Sequence, residues 1–192
     1  MALKNQNTTA NYLSWSELVN LIHKLRRDGY PKFQLLIALG SFLGLRISDI
    51  LSLKWSDILE NNKLVIKEKK TGKERILSIN SDLQKIISDA YATIQPQSDF
   101  VFTNKRGNVM STQYINRKLK EFKVNYSLNI DNISTHTFRK SFGREYWKRN
   151  GYSDKALIIL SELFSHSSVS TTKRYLGIKE QELMEAYEVL TL

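Results

Sequence analysis

Two short runs that read as strands, set inside otherwise helical periodicity, constrain this chain more than any other feature. Leu64-Val65-Ile66-Lys67-Glu68 and Glu74-Arg75-Ile76-Leu77-Ser78-Ile79 are those runs, and Lys70-Thr71-Gly72-Lys73 between them is a turn. Asn61-Asn62 marks another turn just before the first run. The segment is expected to form a small hairpin or meander between helical blocks. Before it, Ser14-Trp15-Ser16-Glu17 has the pattern of a capping box, and Leu18, Leu21, Ile22 and Leu25 fall on one helical face. Asp28-Gly29-Tyr30-Pro31 breaks that helix, and a second runs from Pro31 to about Gly40 or Phe42. A short segment over 47–54 follows, with Ser48 and Asp49 suited to its first turn. After the hairpin, Ser81 is expected to cap a helix reaching Ala92, and another is expected over 111–126. From His136 the pattern is helical almost to the end, with Gly151 and Gly177 as stops. The fold class is therefore mainly α with one small antiparallel sheet.

Charge narrows the function. Lys and Arg number 29 against 19 Asp and Glu, a net +10, which calls for a polyanionic partner because each phosphate neutralised releases condensed counterions. No cysteine is present, which excludes disulfides, thiol catalysis and Cys-ligated metals and suits a reducing cytoplasm. No apolar run approaches the ~18–20 residues of a membrane span. The polar N-terminus, MALKNQNTTANY, has no apolar core of a secretory signal. Residues 1–12 read as a flexible arm, and 13–192 as one domain.

Four segments carry candidate chemistry. Gly44-Leu45-Arg46-Ile47-Ser48-Asp49 places an arginine after an apolar helix, where a helix-end charge is the ordinary explanation. Lys70 sits in the hairpin turn, where a solvated lysine is ordinary too. His136-Thr137-Phe138-Arg139 puts a histidine and an arginine on one helical face. His166 and Tyr175 stand nine residues apart in His166-Ser167-Ser168-Val169-Ser170-Thr171-Thr172-Lys173-Arg174-Tyr175. The remaining histidine, His23, lies in the first amphipathic helix and is assigned a structural role. Lys105 and Arg106, in a glycine-containing loop, and Arg117 and Lys118, on the helix after it, are further candidates for phosphate contact.

Taken in order, these segments resemble the tyrosine recombinase (phage integrase) family. GLRISDILSLKWSDI is similar to its first arginine box, KKTGKERILSI to the hairpin that presents its lysine, HTFRKSFG to its second box, and LFSHSSVSTTKRYLG to the block ending in its nucleophilic tyrosine. The resemblance implies the family's catalytic-domain fold and a role for each residue. Arg46 and Arg139 would hold the non-bridging oxygens of a scissile phosphate, joined by His166. Lys70 would protonate the leaving 5′-hydroxyl, and His136 would assist proton transfer at Tyr175. Tyr175 would attack, leaving a 3′-phosphotyrosyl link; Asp49 would support the site without entering the chemistry. No metal and no cofactor are called for, since arginines stand where other phosphoryl-transfer enzymes place metal ions. The chemistry requires such residues: charge grows on the equatorial oxygens, arginine's planar fork stays charged, and a phenol with a pKa near 10 needs help to attack.

The implied function is site-specific recombination (integration, excision or inversion) on double-stranded DNA, by a homo-oligomer expected to be a tetramer on DNA, in the cytoplasm. A type IB-like topoisomerase, or a basic accessory protein that binds DNA without cutting it, is the alternative. Two departures from the family pattern stand out: Ser165 where glycine is usual before the histidine, and Lys140 where a histidine is common after the second arginine. Only about a dozen residues precede the first expected helix, so an N-terminal core-binding domain, usual in the family, is not expected within this chain. The chain reads either as an excised catalytic domain or as one of the short recombinases that invert promoter segments. A helix is expected over 178–192, packing on its own domain or on a neighbouring protomer.

Overall fold

In the computed structural model, residues 10–59, 62–70, 72–178 and 187 are described. They form helices with one two-stranded antiparallel sheet, and divide into two compact units, 1–141 and 142–192. No described helix is long and apolar enough to cross a membrane.

The first unit begins with α1, Trp15–Arg27, whose capping box is formed: Ser14 Oγ accepts from the Glu17 N–H, and Glu17 accepts from the Ser14 N–H. Leu18, Leu21, Ile22 and Leu25 are buried along one face, while His23 faces solvent, so its expected structural role is not one of core packing. Helix α2, Pro31–Phe42, starts on a proline whose missing N–H costs nothing at that position. It is buried on all sides from Phe33 to Ser41, which makes it the central helix of this unit. Two single-turn helices follow, α3 (Ile47–Ile50) and α4 (Trp55–Ile58), in place of the one short segment expected.

Strands β1, Lys63–Lys67, and β2, Glu74–Ser78, pair antiparallel with Leu64 opposite Leu77 and Ile66 opposite Arg75. Leu64, Ile66 and Leu77 turn inward to the core, so the hairpin is fixed in register by burial of one face. Helix α5, Ser81–Ile94, is capped by Asn80 and not by Ser81: Asn80 Oδ1 accepts from the Leu83 N–H at 2.9 Å, and Ser81 is the first helical residue. Helix α6, Thr112–Asn125, is capped by Ser111. Helix α7, Thr135–Arg149, contains the division between the units. Most of the expected arm lies outside the described residues; where description begins, the Asn11 N–H donates to Asn132 O and the Leu13 N–H to Ser141 Oγ, both at 2.9 Å.

The second unit holds the end of α7, then α8 (Asp154–Leu163) and α9 (Val169–Leu176). Leu157, Leu160, Phe164, Leu176 and Ile178 form its core. Gly143 makes this packing possible: a Cβ there would lie 2.7 Å from Leu176 Cδ2 and 3.1 Å from the Phe164 ring. Gly177 ends α9 as expected. The helix expected over 178–192 falls almost entirely outside the described residues.

Candidate active site

Four of the six predicted catalytic residues lie in the first unit. Helix α2 ends at Leu43, and Gly44, with φ +60°, turns the chain toward Arg46 at the start of α3. Arg139, 3% exposed on the first turns of α7, donates from Nη1 to the Gly44 carbonyl, so the second arginine is fastened to the turn that delivers the first. The start of α7 is itself held by the Thr135 N–H, which donates to Asn116 Oδ1 at 3.0 Å. Lys70 is exposed in the hairpin turn. Asp49, buried in α3, accepts from the Lys69 N–H at 3.0 Å, one residue from Lys70.

His136 reports on how these groups surround it. It keeps an exposed edge, yet the surrounding protein strips part of its hydration. That loss and then the charges of Arg139, Lys140, Arg46 and Lys70 hold its pKa below the ordinary 6.5. The lowered pKa keeps His136 neutral at neutral pH, with the charges of three separate segments repelling its proton. The sign of the linkage follows: the unfolded chain takes up the proton near 6.5, while the native chain refuses it until lower pH. The stabilising contribution is fully present above 6.5 and is lost as pH falls toward the lowered native value. Denaturant titrations of wild type and His136→Gln at descending pH are expected to show the wild type losing more stability below 6.5; parallel profiles contradict this.

The other two residues lie in the second unit. Tyr175, near the end of α9, packs its ring 5.6 Å from Phe164 and 5.2 Å from His166, centroid to centroid. Its hydroxyl is shielded from solvent. His166 is half-buried; its N–H donates to Ser161 O, and its Nδ1 lies 3.0 Å from Oγ1 of the fully buried Thr172. Ser165, before it, has φ +49°, the left-handed region that favours glycine. A side chain there costs about 1 kcal/mol. Ser165→Gly is expected to raise stability by up to about 1 kcal/mol, offset in part by the freer unfolded chain. A thermal melt checks it, and a lowered midpoint contradicts it.

The model of the phage integrase family matches residues 11–182. The chain belongs to the phage integrase family. Among its relatives, the probable integrase/recombinase YoeC of Bacillus subtilis is 32% identical over 170 residues, covering 88% of this chain and 87% of that protein. Tyrosine recombinase XerA of Pyrococcus horikoshii is 29% identical and covers 90% of this chain, which spans 57% of its length. The fold is shared with solved tyrosine recombinases. The crystal structure of the XerH site-specific recombinase, bound to its palindromic difH substrate in a post-cleavage complex, has a TM-score of 0.71 at 22% identity and covers 95% of this chain and 54% of that one.

Against the family pattern, the six matching positions fall into two groups. Arg46, Lys70, His136 and Arg139 stand in the first unit, His166 and Tyr175 in the second. Two residues beside these positions were missed from sequence. Glu68, 1% exposed, accepts from Arg46 at 2.7 Å and from Arg75 at 2.9 Å. A signal for it existed: the alternation of β1 puts position 68 on the buried face, where a carboxylate is out of place unless paired. Thr172, the partner of His166, carried no comparable signal among the serines and threonines around it.

The basic candidates of the loop and α6 divide. Lys105 and Arg106 line a cleft of about 670 Å³ with Lys32 and Tyr114. Lys32 donates to Thr103 O at 2.5 Å, and burial lowers its pKa. Arg117 lies over the Tyr114 ring, whereas Lys118 is paired with Glu121. Among the described residues no cluster of histidines and carboxylates could hold a metal ion.

Proposed function

We propose that this protein is a site-specific DNA recombinase that cuts and rejoins double-stranded DNA through a 3′-phosphotyrosyl intermediate. The observation that carries the reading is the fastening of Arg139 to the Gly44 turn that delivers Arg46, and of Asp49 to the Lys69 N–H beside Lys70, which gathers these cations near His136. Cations gathered from distant segments repel one another, and a phosphate placed among them turns that repulsion into attraction.

In this reading the Tyr175 phenol oxygen bonds to the scissile phosphorus as the bond to the 5′-oxygen breaks. His136, held neutral, takes the phenol proton, and Lys70 gives a proton to the departing 5′-oxygen. Arg46 and Arg139 hold the non-bridging oxygens, with His166 donating from Nε2 while Nδ1 pairs with Thr172. Asp49 keeps the hairpin turn beside Arg46. The phosphotyrosine conserves the energy of the broken bond, so attack by a 5′-hydroxyl reseals the strand without a nucleotide cofactor. The domain over 13–192 works on DNA as a tetramer, in the cytoplasm. Lys105, Arg106 and Arg117 meet backbone phosphates and position the chain without reading sequence.

The test uses nicked duplexes cut from the DNA flanking the gene, in which the fragment beyond the cleavage point diffuses away and leaves the covalent complex trapped. An adduct resistant to detergent, formed on a few sequences only, is expected. Retention of DNA with no adduct on any duplex overturns the reading in favour of an accessory binder. Relaxation of supercoiled plasmid irrespective of sequence, with no exchange between two sites, overturns it in favour of a topoisomerase.

A further inference from the structure

Glu68 follows β1 at the base of the turn that carries Lys70, and its carboxylate is wholly enclosed. Oε2 accepts from Arg46 Nη1 at 2.7 Å and Oε1 from Arg75 Nη1 at 2.9 Å. Arg75 stands on β2 opposite Ile66, so the hairpin itself supplies the grip on Glu68. The Glu68 backbone closes the turn as well. Its N–H donates to Lys73 O at 2.9 Å, and its carbonyl accepts from the Gly72 N–H at 2.8 Å. One residue on, the Lys69 N–H donates to Asp49 Oδ1.

The segment from Arg46 to Asp49 and the lysine turn are therefore fastened at two points. A carboxylate from the hairpin holds the arginine, and a carboxylate from α3 holds the hairpin backbone. A guanidinium has five N–H donors in a rigid fork, so one edge held by a carboxylate leaves the group oriented and able to meet a phosphate with another. An enclosed carboxylate costs heavily unless fully paired. Here two oxygens answer two arginines.

We propose that Glu68 is a positioning residue: gripped by Arg75, it sets the direction of Arg46 and presents Arg46 and Lys70 to the phosphate as one unit. This rests on the roles given above to those two residues. Removing the carboxylate leaves Arg46 charged but misdirected, and a small misplacement of a group at the reacting centre lowers the rate on the order of 100-fold.

The experiment measures single-turnover adduct formation by Glu68→Gln and by Glu68→Gln/Arg75→Gln. The second variant removes the Arg75 charge together with the carboxylate, so that only Arg46 is left without its Glu68 partner, and it separates misdirection from misfolding. Three substrates are used: ordinary DNA; a 5′-bridging phosphorothiolate, whose thiolate leaves without an acid; and a methylphosphonate, which lacks one charged oxygen. Both variants are expected to lose about 100-fold on ordinary DNA with DNA affinity nearly unchanged. The modified substrates are expected to recover much of that loss, the methylphosphonate by relieving the need for Arg46 and the phosphorothiolate the need for Lys70. Wild-type rates in folded variants overturn the proposal, as does an equal loss on all three substrates. A wild type that traps no adduct on any substrate overturns the underlying reading, and the proposal with it.

Discussion

Tyr175→Phe is expected to bind DNA as wild type does and to form no covalent adduct. The substitution removes one oxygen and keeps the ring that packs against Phe164 and His166, so the second unit keeps its core. Loss of a shielded hydroxyl changes stability by about 1 kcal/mol at most. The chemical loss is of another size. Removing a nucleophile from a site that acts as a unit lowers the rate on the order of 10⁶-fold, below detection in a trapping assay. Detergent gels of labelled nicked duplex measure the adduct, and retardation of the same duplex measures binding. An adduct that persists in the variant means another residue attacks.

Arg139→Lys is expected to show the next largest loss. Arg139 is enclosed and donates to the carbonyl of Gly44, in the turn that leads to Arg46. Lysine keeps the charge but not the planar fork, so it cannot hold that carbonyl and a phosphate in fixed relation. One lost transition-state donor costs about 10²- to 10³-fold in rate. DNA affinity falls less, because a single phosphate contact is one of many. Arg139→Ala adds a fold defect of about 1–3 kcal/mol, since the Gly44 carbonyl then lacks its charged donor. Single-turnover rates and denaturant midpoints for the two variants separate chemistry from stability. A lysine variant within threefold of wild type contradicts the assignment.

What the sequence made legible was mainly local. The Ser14–Glu17 box, the proline start of α2 and the hairpin each depend on residues a few positions apart, and all form as expected. Asn80 and Ser81 show the limit of that reading: both are good caps, and the choice between them rests on where the first helical turn begins. The six candidate catalytic positions were picked out for a different reason: phosphoryl transfer calls for those residue types, and the resemblance to the family supplies their order. The pairing of Glu68 with Arg46 was hidden because the two lie 22 residues apart, and pattern within a strand says nothing of which arginine comes to meet it. Ser165 stands where glycine is usual in the family, and the structure gives it φ +49°, the region that favours glycine.

Adduct formation shows that a protein joins DNA; it does not show where. The most direct measurement is therefore the site of the bond. Wild-type adduct, digested with protease and nuclease and read by mass spectrometry, is expected to carry the residual nucleotide on the peptide containing Tyr175, linked through a 3′-phosphate. A nucleotide on any other tyrosine, or a 5′ linkage, contradicts the account.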